Sequence, residues 1–385
     1  MFSVISSGMV AVMTQNIGAG RPGVAYQARQ LGLAFNAVLG IIMSLFLSLG
    51  AGTILSGVGV ADALMQPAKT YLQIVGGFCI LNALIPICSS YLRAFGFSKE
   101  PLYASIIGNV INFCLNAFFL FVLHKGVAGV ATATVISRII NLEIVVLLGA
   151  VLVKAKQHPE RESNRAVMGQ IIRIGLPSAC ETAIYNVSMT LVIRFLNQMD
   201  AQGLNVTARS YTMQITNFSY CVGAALAQAN AIMTGWHIGA KEYDACDRGT
   251  KKAAVIGVIV AVILETVFTL CSGWIMQLFS KDPQMVSLVG KLLAIDIVLE
   301  IGRVTNLVYG QALKTSGDAV FPVVMGACFM ILCSVGGTYL FGIRLGLLAV
   351  GAYIGMTGDE CVRAVGMYLR WKSGKWKEKG LVKSR

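Results

Sequence analysis

Only 13% of the 385 residues are Asp, Glu, Lys or Arg, so the charges inside long apolar runs are the ones whose chemistry needs explaining. A charge at the centre of a bilayer costs about 2.5–3.5 kcal/mol on insertion scales, and it persists where it is paired or faces water. Glu300, Arg303 and Asn306 follow at i, i+3 and i+6, and Asp296 precedes Glu300 by four, so all four share one helix face. In another run Asp359 and Arg363 are i, i+4, and Glu360 and Arg363 are i, i+3. Glu181 and Asn186 stand in a third run, and no cation lies within four residues of Glu181. Three polar stripes in one half of a chain can line one cavity. Acids in such a cavity can take up and release H⁺ or Na⁺, and Glu181 is the best placed of them for that exchange. A structural reading stays open beside this one, with Glu300–Arg303 and Glu360–Arg363 as ion pairs that hold helices together. Glu265 is a lone mid-span acid, and Arg138 and Glu143 are five apart and do not share a face; these read as structural.

The elements that position these residues are membrane helices. Residues A, V, I, L, M, F, W, Y and C make up 56% of the chain, against about 45–50% apolar and about 25% charged in soluble domains. A soluble enzyme and a disordered chain are both excluded. A bilayer core needs about 20 mostly apolar helical residues. Ten full spans are expected at roughly 31–56, 71–91, 102–122, 127–153, 170–196, 206–234, 253–279, 286–312, 320–342 and 346–369, after a shorter apolar piece at 2–13. The runs lack the alternation of about ten residues that a barrel requires. Of the 31 Lys and Arg, 21 fall in one alternate set of loops and in the C-terminal stretch, against six in the other set, among them Arg209. That bias places the first set and the C-terminus in the cytoplasm of a plasma-membrane protein. The net charge of +13 is therefore no sign of nucleic acid; much of it sits in residues 370–385, a basic tail that reads first as an anchor on anionic lipid.

Several chemical signals lead nowhere. Gly18-Ala-Gly-Arg-Pro-Gly23 fits G-x-G-x-x-G but lacks a strand–helix context, and no Walker A sequence occurs. The three His are scattered in loops, and none of the ten Cys forms C-x-x-C. No cofactor and no resident metal are expected, beyond a transported Na⁺ at Glu181.

The second half of the chain repeats the first at an offset near 221 residues. Ile17-Gly18-Ala19 aligns with Ile238-Gly239-Ala240, Gly52 with Gly273, Leu92 with Leu313, Gly96 with Gly317 and Pro101 with Pro322. Such repeats are a transporter signature. The expected organisation is an N-terminal bundle at 1–153, a polar cytoplasmic linker at 154–169, a six-helix bundle at 170–369 and the basic tail at 370–385. Subtracting the offset from the spans at 170–196 and 206–234 puts most of their first-bundle partners before residue 1, so the chain is expected to be N-terminally incomplete by about one and a half helices.

In order along the chain, Gln15-Asn16-Ile17-Gly18-Ala19-Gly20, Gly175-Leu176-Pro177-Ser178 with Glu181, Gly235-Trp236-His237-Ile238-Gly239-Ala240, and Leu313-Lys314-Thr315-Ser316-Gly317-Asp318 carry a resemblance. The sequence resembles the MATE (multidrug and toxic compound extrusion) family, particularly a bacterial subgroup found in Firmicutes, with Lys314 where the family's L-R-x-x-G-D turn has Arg. E-x-x-R-x-x-N at Glu300–Asn306 and D-E-x-x-R at Asp359–Arg363 resemble patterns of that subgroup. The resemblance implies an all-α, polytopic fold of two pseudo-repeated bundles around a cleft. It also implies a monomer that exports small organic cations against Na⁺ or H⁺ by alternating access. A lipid-linked oligosaccharide flippase of the same superfamily is the alternative, favoured by a cavity lined with several Arg. A membrane-embedded enzyme is the other, and no motif for it is evident.

Overall fold

The computed structural model describes residues 3–58, 60–154, 158–200 and 203–382, and among them are fourteen α-helices and no strand. The first seven are α1 (Ser3–Gly18), α2 (Pro22–Leu49), α3 (Ala51–Val58), α4 (Asp62–Gly77), α5 (Ile80–Ala94), α6 (Lys99–Ala117) and α7 (Gly126–Leu152). The rest are α8 (Asn164–Met199), α9 (Leu204–Gly239), α10 (Tyr243–Leu270), α11 (Ser272–Met276), α12 (Pro283–Thr315), α13 (Val320–Phe329) and α14 (Leu348–Lys372). The ten apolar windows all fall on these helices. α6 runs on through a π-helical turn at Phe118–Val122, and α13 through two, at Met330–Val335 and Thr338–Arg344.

Five of the helical rods are long and apolar enough by themselves to cross a membrane: Pro22–Leu49, Lys99–Val122, Gly126–Leu152, Tyr243–Leu270 and Val320–Arg344. Their outer surfaces are apolar; Leu49 is 83% exposed and Leu270 80%. α4 and α5 make a sixth span bent by 42°. The break follows Gly76-Gly77, a pair that supports helix only weakly. The backbone N–H of Ile80 at the break donates to Ser44 Oγ of α2 at 3.1 Å. α8, α9 and α12 are longer than the apolar rods and α14 is comparable to them, but these four bury charged and polar side chains.

The chain divides into two compact units, Met1–Gly175 and Leu176–Arg385, and the division lies inside α8 beside Pro177. In the first unit the polar stretch before α8 is tied to the start of α2. Arg21 pairs with Glu162 at 2.5 Å, Gln27 Nε2 donates to the Glu162 carbonyl at 2.7 Å, and Arg161 Nη1 donates to the Gly23 carbonyl at 2.9 Å.

In the second unit the stretch after α14 folds back as a strap. Trp376, 1% exposed, stacks on Trp371 at 4.1 Å with the rings 8° from parallel. Trp371 Nε1 donates to Asp247 Oδ1 at 2.9 Å. Asp318 receives Arg370 Nε at 2.7 Å and Lys379 Nζ at 2.6 Å. Gly317 beside it has φ +98°, and a Cβ there would lie 2.2 Å from the Lys379 carbonyl oxygen, so glycine is required on both counts. Two cations of the basic tail thus serve the protein itself and are not free for lipid; Lys383 and Arg385 lie outside the described residues. Burial alone would push the Asp318 carboxyl up, but the bonds from Arg370 and Lys379 hold it below the usual carboxylate range.

Candidate functional site

α12 is the axis of the site. At 33 residues it is about 50 Å long, and it passes through two apolar clusters. Val289, Leu292, Leu293 and Leu299 belong to one, and Val304, Val308 and Leu313 to the other. Its polar stripe falls at their junction, near the middle of the helix. Gly302 sets the reach of that stripe. A Cβ there would meet Cys361 N at 2.8 Å and Glu360 C at 2.9 Å, so glycine lets α12 press its backbone onto α14.

The close approach builds an ionic network. Arg303 Nη1 binds Glu300 Oε1, and Arg303 Nε lies 3.7 Å from Glu360 Oε1. Asn306 Nδ2 donates to Glu360 Oε2 at 3.0 Å. Arg363 takes Asp359 in a two-pronged grip, Nε to Oδ1 at 2.8 Å and Nη2 to Oδ2 at 3.0 Å, and its Nη2 is also 3.0 Å from Glu360 Oε1. Ser334 Oγ, in a π-helical turn following α13, donates to Asp359 Oδ2 at 2.9 Å. Fork-to-carboxylate geometry of this kind is strong and directional.

Behind the network three acids crowd together. Glu265 of α10, Asp296 and Glu300 each offer a carboxylate oxygen, and these lie within 4.8 Å of one another. Glu265 and Glu300 are fully buried and Asp296 is 2% exposed. Both oxygens of Glu265, Oδ2 of Asp296 and Oε2 of Glu300 make no hydrogen bond of good geometry, although Ser219 stands beside Glu265. No Lys or Arg lies within 4.0 Å of Glu265 or Asp296 among the described residues. Three carboxylates so close and dry, with Arg303 pairing only Glu300, can share a proton or a metal cation, and oxygen-only ligands suit a hard ion.

On the open side lies a cavity of about 230 Å³, lined by Tyr185 and Met189 of α8, Arg209 and Tyr220 of α9, Asp296 and Arg303 of α12, and Asp359 and Glu360 of α14, among others. All of it belongs to the second unit.

Six of the eight residues singled out by spacing meet here: Glu300, Arg303, Asn306, Asp359, Glu360 and Arg363. The other two do not join them. Glu181 is not an unpaired acid, because Lys314 at the end of α12 places its Nζ 2.5 Å from Glu181 Oε2; separation along one helix says nothing about a cation on the next. Asn186 is exposed, and its amide donates to the Thr182 carbonyl one turn back in its own helix at 2.9 Å. Two readings change in the opposite direction. Glu265 is not alone, since α10 brings it to the acids of α12. Arg209, counted with the loop charges, is 7% exposed inside α9 and lines the cavity. The signal for Glu265 was its cost: a mid-span acid without a local partner has a distant one.

The MatE family model matches residues 1–118 and 177–340. An uncharacterized transporter of Bacillus subtilis, YisQ, is 32% identical over 99% of this chain and 85% of its own length. A probable multidrug resistance protein NorM of Thermotoga maritima is 22% identical over 98% of this chain and 82% of its own length. Among solved structures, MATE in the bent conformation superposes with a TM-score of 0.89 at 18% identity, over 98% of this chain and 84% of that one.

Proposed function

The chain belongs to the MatE family of membrane transporters, and on that premise we propose that it is a secondary active exporter of organic cations, driven by Na⁺ or H⁺ through alternating access. The observation that carries the reading is the trio of buried, clustered carboxylates, two of them without an ion-pair partner among the described residues, directly behind a mixed-polarity cavity. The probable multidrug resistance proteins among its relatives support the choice of cargo.

Glu265, Asp296 and Glu300 hold the coupling ion. Asp296 also lines the cavity, so ion occupancy and ligand occupancy share a wall. Arg303 links the trio to Glu360 and, through it, to Arg363 and Asp359. Discharging the trio therefore frees or recruits Arg303, which changes the field at the cavity and biases the inward- and outward-facing states. Glu181 and Lys314 form a neighbouring latch between α8 and α12 rather than the ion site. The five carboxylates of the site (Glu265, Asp296, Glu300, Asp359 and Glu360) outnumber its three guanidiniums (Arg209, Arg303 and Arg363), which suits a cationic ligand more than the lipid-linked pyrophosphate of a flippase. The distribution of Lys and Arg supports a cell-membrane protein with its C-terminal strap in the cytoplasm, and a monomer is part of the same proposal. No enzymatic step is assigned.

The test is efflux of ethidium from a drug-sensitive host expressing this chain, with and without external Na⁺ and with the proton gradient collapsed. Efflux that stops when one of the two gradients is removed supports the reading. Efflux indifferent to both, or no efflux of any cation from cells with the protein in their membrane, overturns it.

A further inference from the structure

Arg209 is the one guanidinium of the cavity that the ionic network leaves out. Its place is fixed from the start of α9. The Asp200 carboxylate accepts from the backbone amides of Leu204 at 2.9 Å and Asn205 at 3.0 Å, and Asn205 Oδ1 accepts from the backbone N–H of Ala349 in α14 at 3.1 Å. Arg209 follows one turn later, 7% exposed. Arg303 and Arg363 each hold two carboxylates. Arg209 has none within 4.0 Å among the described residues; its Nη2 rests 3.8 Å from the Met189 sulfur and its Nε has no hydrogen-bond partner. A planar fork of donors withdrawn from water and turned to a cavity is matched by one kind of group, an oxyanion with two coplanar acceptors.

Asp296 is its opposite. It lines the same cavity, 2% exposed, with Oδ2 unpartnered and no Lys or Arg within 4.0 Å among the described residues. The cavity therefore presents one guanidinium and one carboxylate that no ion pair within 4.0 Å engages among the described residues. Tyr185, Tyr220 and Met189 furnish the rest of its wall with ring faces and polarizable sulfur, which favour flat, delocalised ligands.

We infer that the cavity selects amphoteric aromatic compounds, with a carboxylate on Arg209 and the cationic end toward Asp296. This deepens the exporter reading and rests on it for the direction of movement, but not for binding. An organic cation without a carboxylate leaves Arg209 unsatisfied, and an organic acid without a cationic centre leaves Asp296 so.

The test uses the purified full chain and a dye pair that differs by one group. Rhodamine 110 carries a free carboxylate, and rhodamine 123 is its methyl ester. By fluorescence polarisation the acid is expected to bind about tenfold more tightly than the ester, roughly what one charge-assisted contact supplies. Arg209→Gln is expected to remove that ratio and Arg209→Lys to keep part of it. Ester binding equal to or tighter than acid binding in the unmodified protein overturns the inference without any variant. An acid-to-ester ratio unchanged by Arg209→Gln overturns it too, and makes Arg209 structural. In proteoliposomes, a preserved binding preference with no gradient-driven flux of either dye sustains this inference while removing the exporter reading, so the two fail separately.

Discussion

The two units handle polar groups in opposite ways. In the first, buried amides and hydroxyls close onto nearby backbone. Thr14 donates to the Val10 carbonyl at 2.7 Å, Asn16 to that of Val12 at 2.8 Å, and Asn36 of α2 to that of Ala83 at 3.2 Å. The ion pairs described there, Arg21–Glu162 and His158–Glu160, involve the polar stretch before α8. In the second unit five carboxylates and two arginines gather along α10, α12 and α14, three of the acids paired with the arginines. Neutral groups satisfied by backbone fix helix geometry at little expense. Buried ions are a poor way to hold helices together, because desolvation offsets most of their attraction. The contrast points to ionic work in the second unit and scaffolding in the first.

The sharpest way to break this contrast is a matched pair of arginine deletions. Arg363→Met strands the buried Asp359 carboxylate and removes one of the partners of Glu360, and is expected to lose about 3–5 kcal/mol. Arg138→Met in α7, where no ion pair is lost, is expected to lose no more than about 1 kcal/mol. Thermal unfolding of the solubilised protein measures both, and equal losses would erase the distinction between the units.

Next in size is the coupling trio. Glu265→Gln is expected to reduce ion-driven ethidium flux in inverted vesicles about tenfold, the scale of a 1.4 kcal/mol change. Its thermal midpoint should hold or rise, since one of three crowded charges is gone. A fall in midpoint with coupling intact would make Glu265 a structural residue.

The strap comes third. Asp318→Asn removes two charge-assisted bonds and is expected to lose about 2 kcal/mol. Because the folded carboxyl of Asp318 titrates below its unfolded value, its contribution is complete above the ordinary carboxylate pKa of about 3.9 and disappears as pH falls through the lower folded value. Tryptophan fluorescence should report the Trp371–Trp376 stack loosening in that acid range in the unmodified protein, and should lose this dependence in the variant.

The smallest effect is reserved for Glu181. Glu181→Gln is expected to cost about 1 kcal/mol through the partly exposed Lys314 contact and to leave the ion dependence of efflux in place. Loss of that dependence would return Glu181 to the coupling site.

Helix content and the stripes of α12 and α14 were legible in the sequence because both depend on spacing along one helix. Glu300–Arg303 and Asp359–Arg363 could be paired from the 3.6-residue repeat alone. What spacing cannot carry is which helices touch. Lys314 neutralises Glu181, and Glu265 joins Asp296, across helix boundaries that no local pattern crosses. Arg209 was obscured for a different reason: a cation one turn inside a helix looks like a loop charge until the Asp200 cap fixes where α9 begins. The strap was hidden by composition, since a run of lysines suggests solvent and lipid while two tryptophans within it do the packing.

That last feature decides where the protein can be handled. A reporter or purification handle fused directly behind Ser373 would strip the lid from Trp371 and deprive Asp318 of an ammonium partner, so a drop in yield there would reflect the fusion point and not the transporter. Joined downstream of Val382, the same handle leaves both intact, and the paired indoles become a built-in optical probe of whether the end of the bundle is folded.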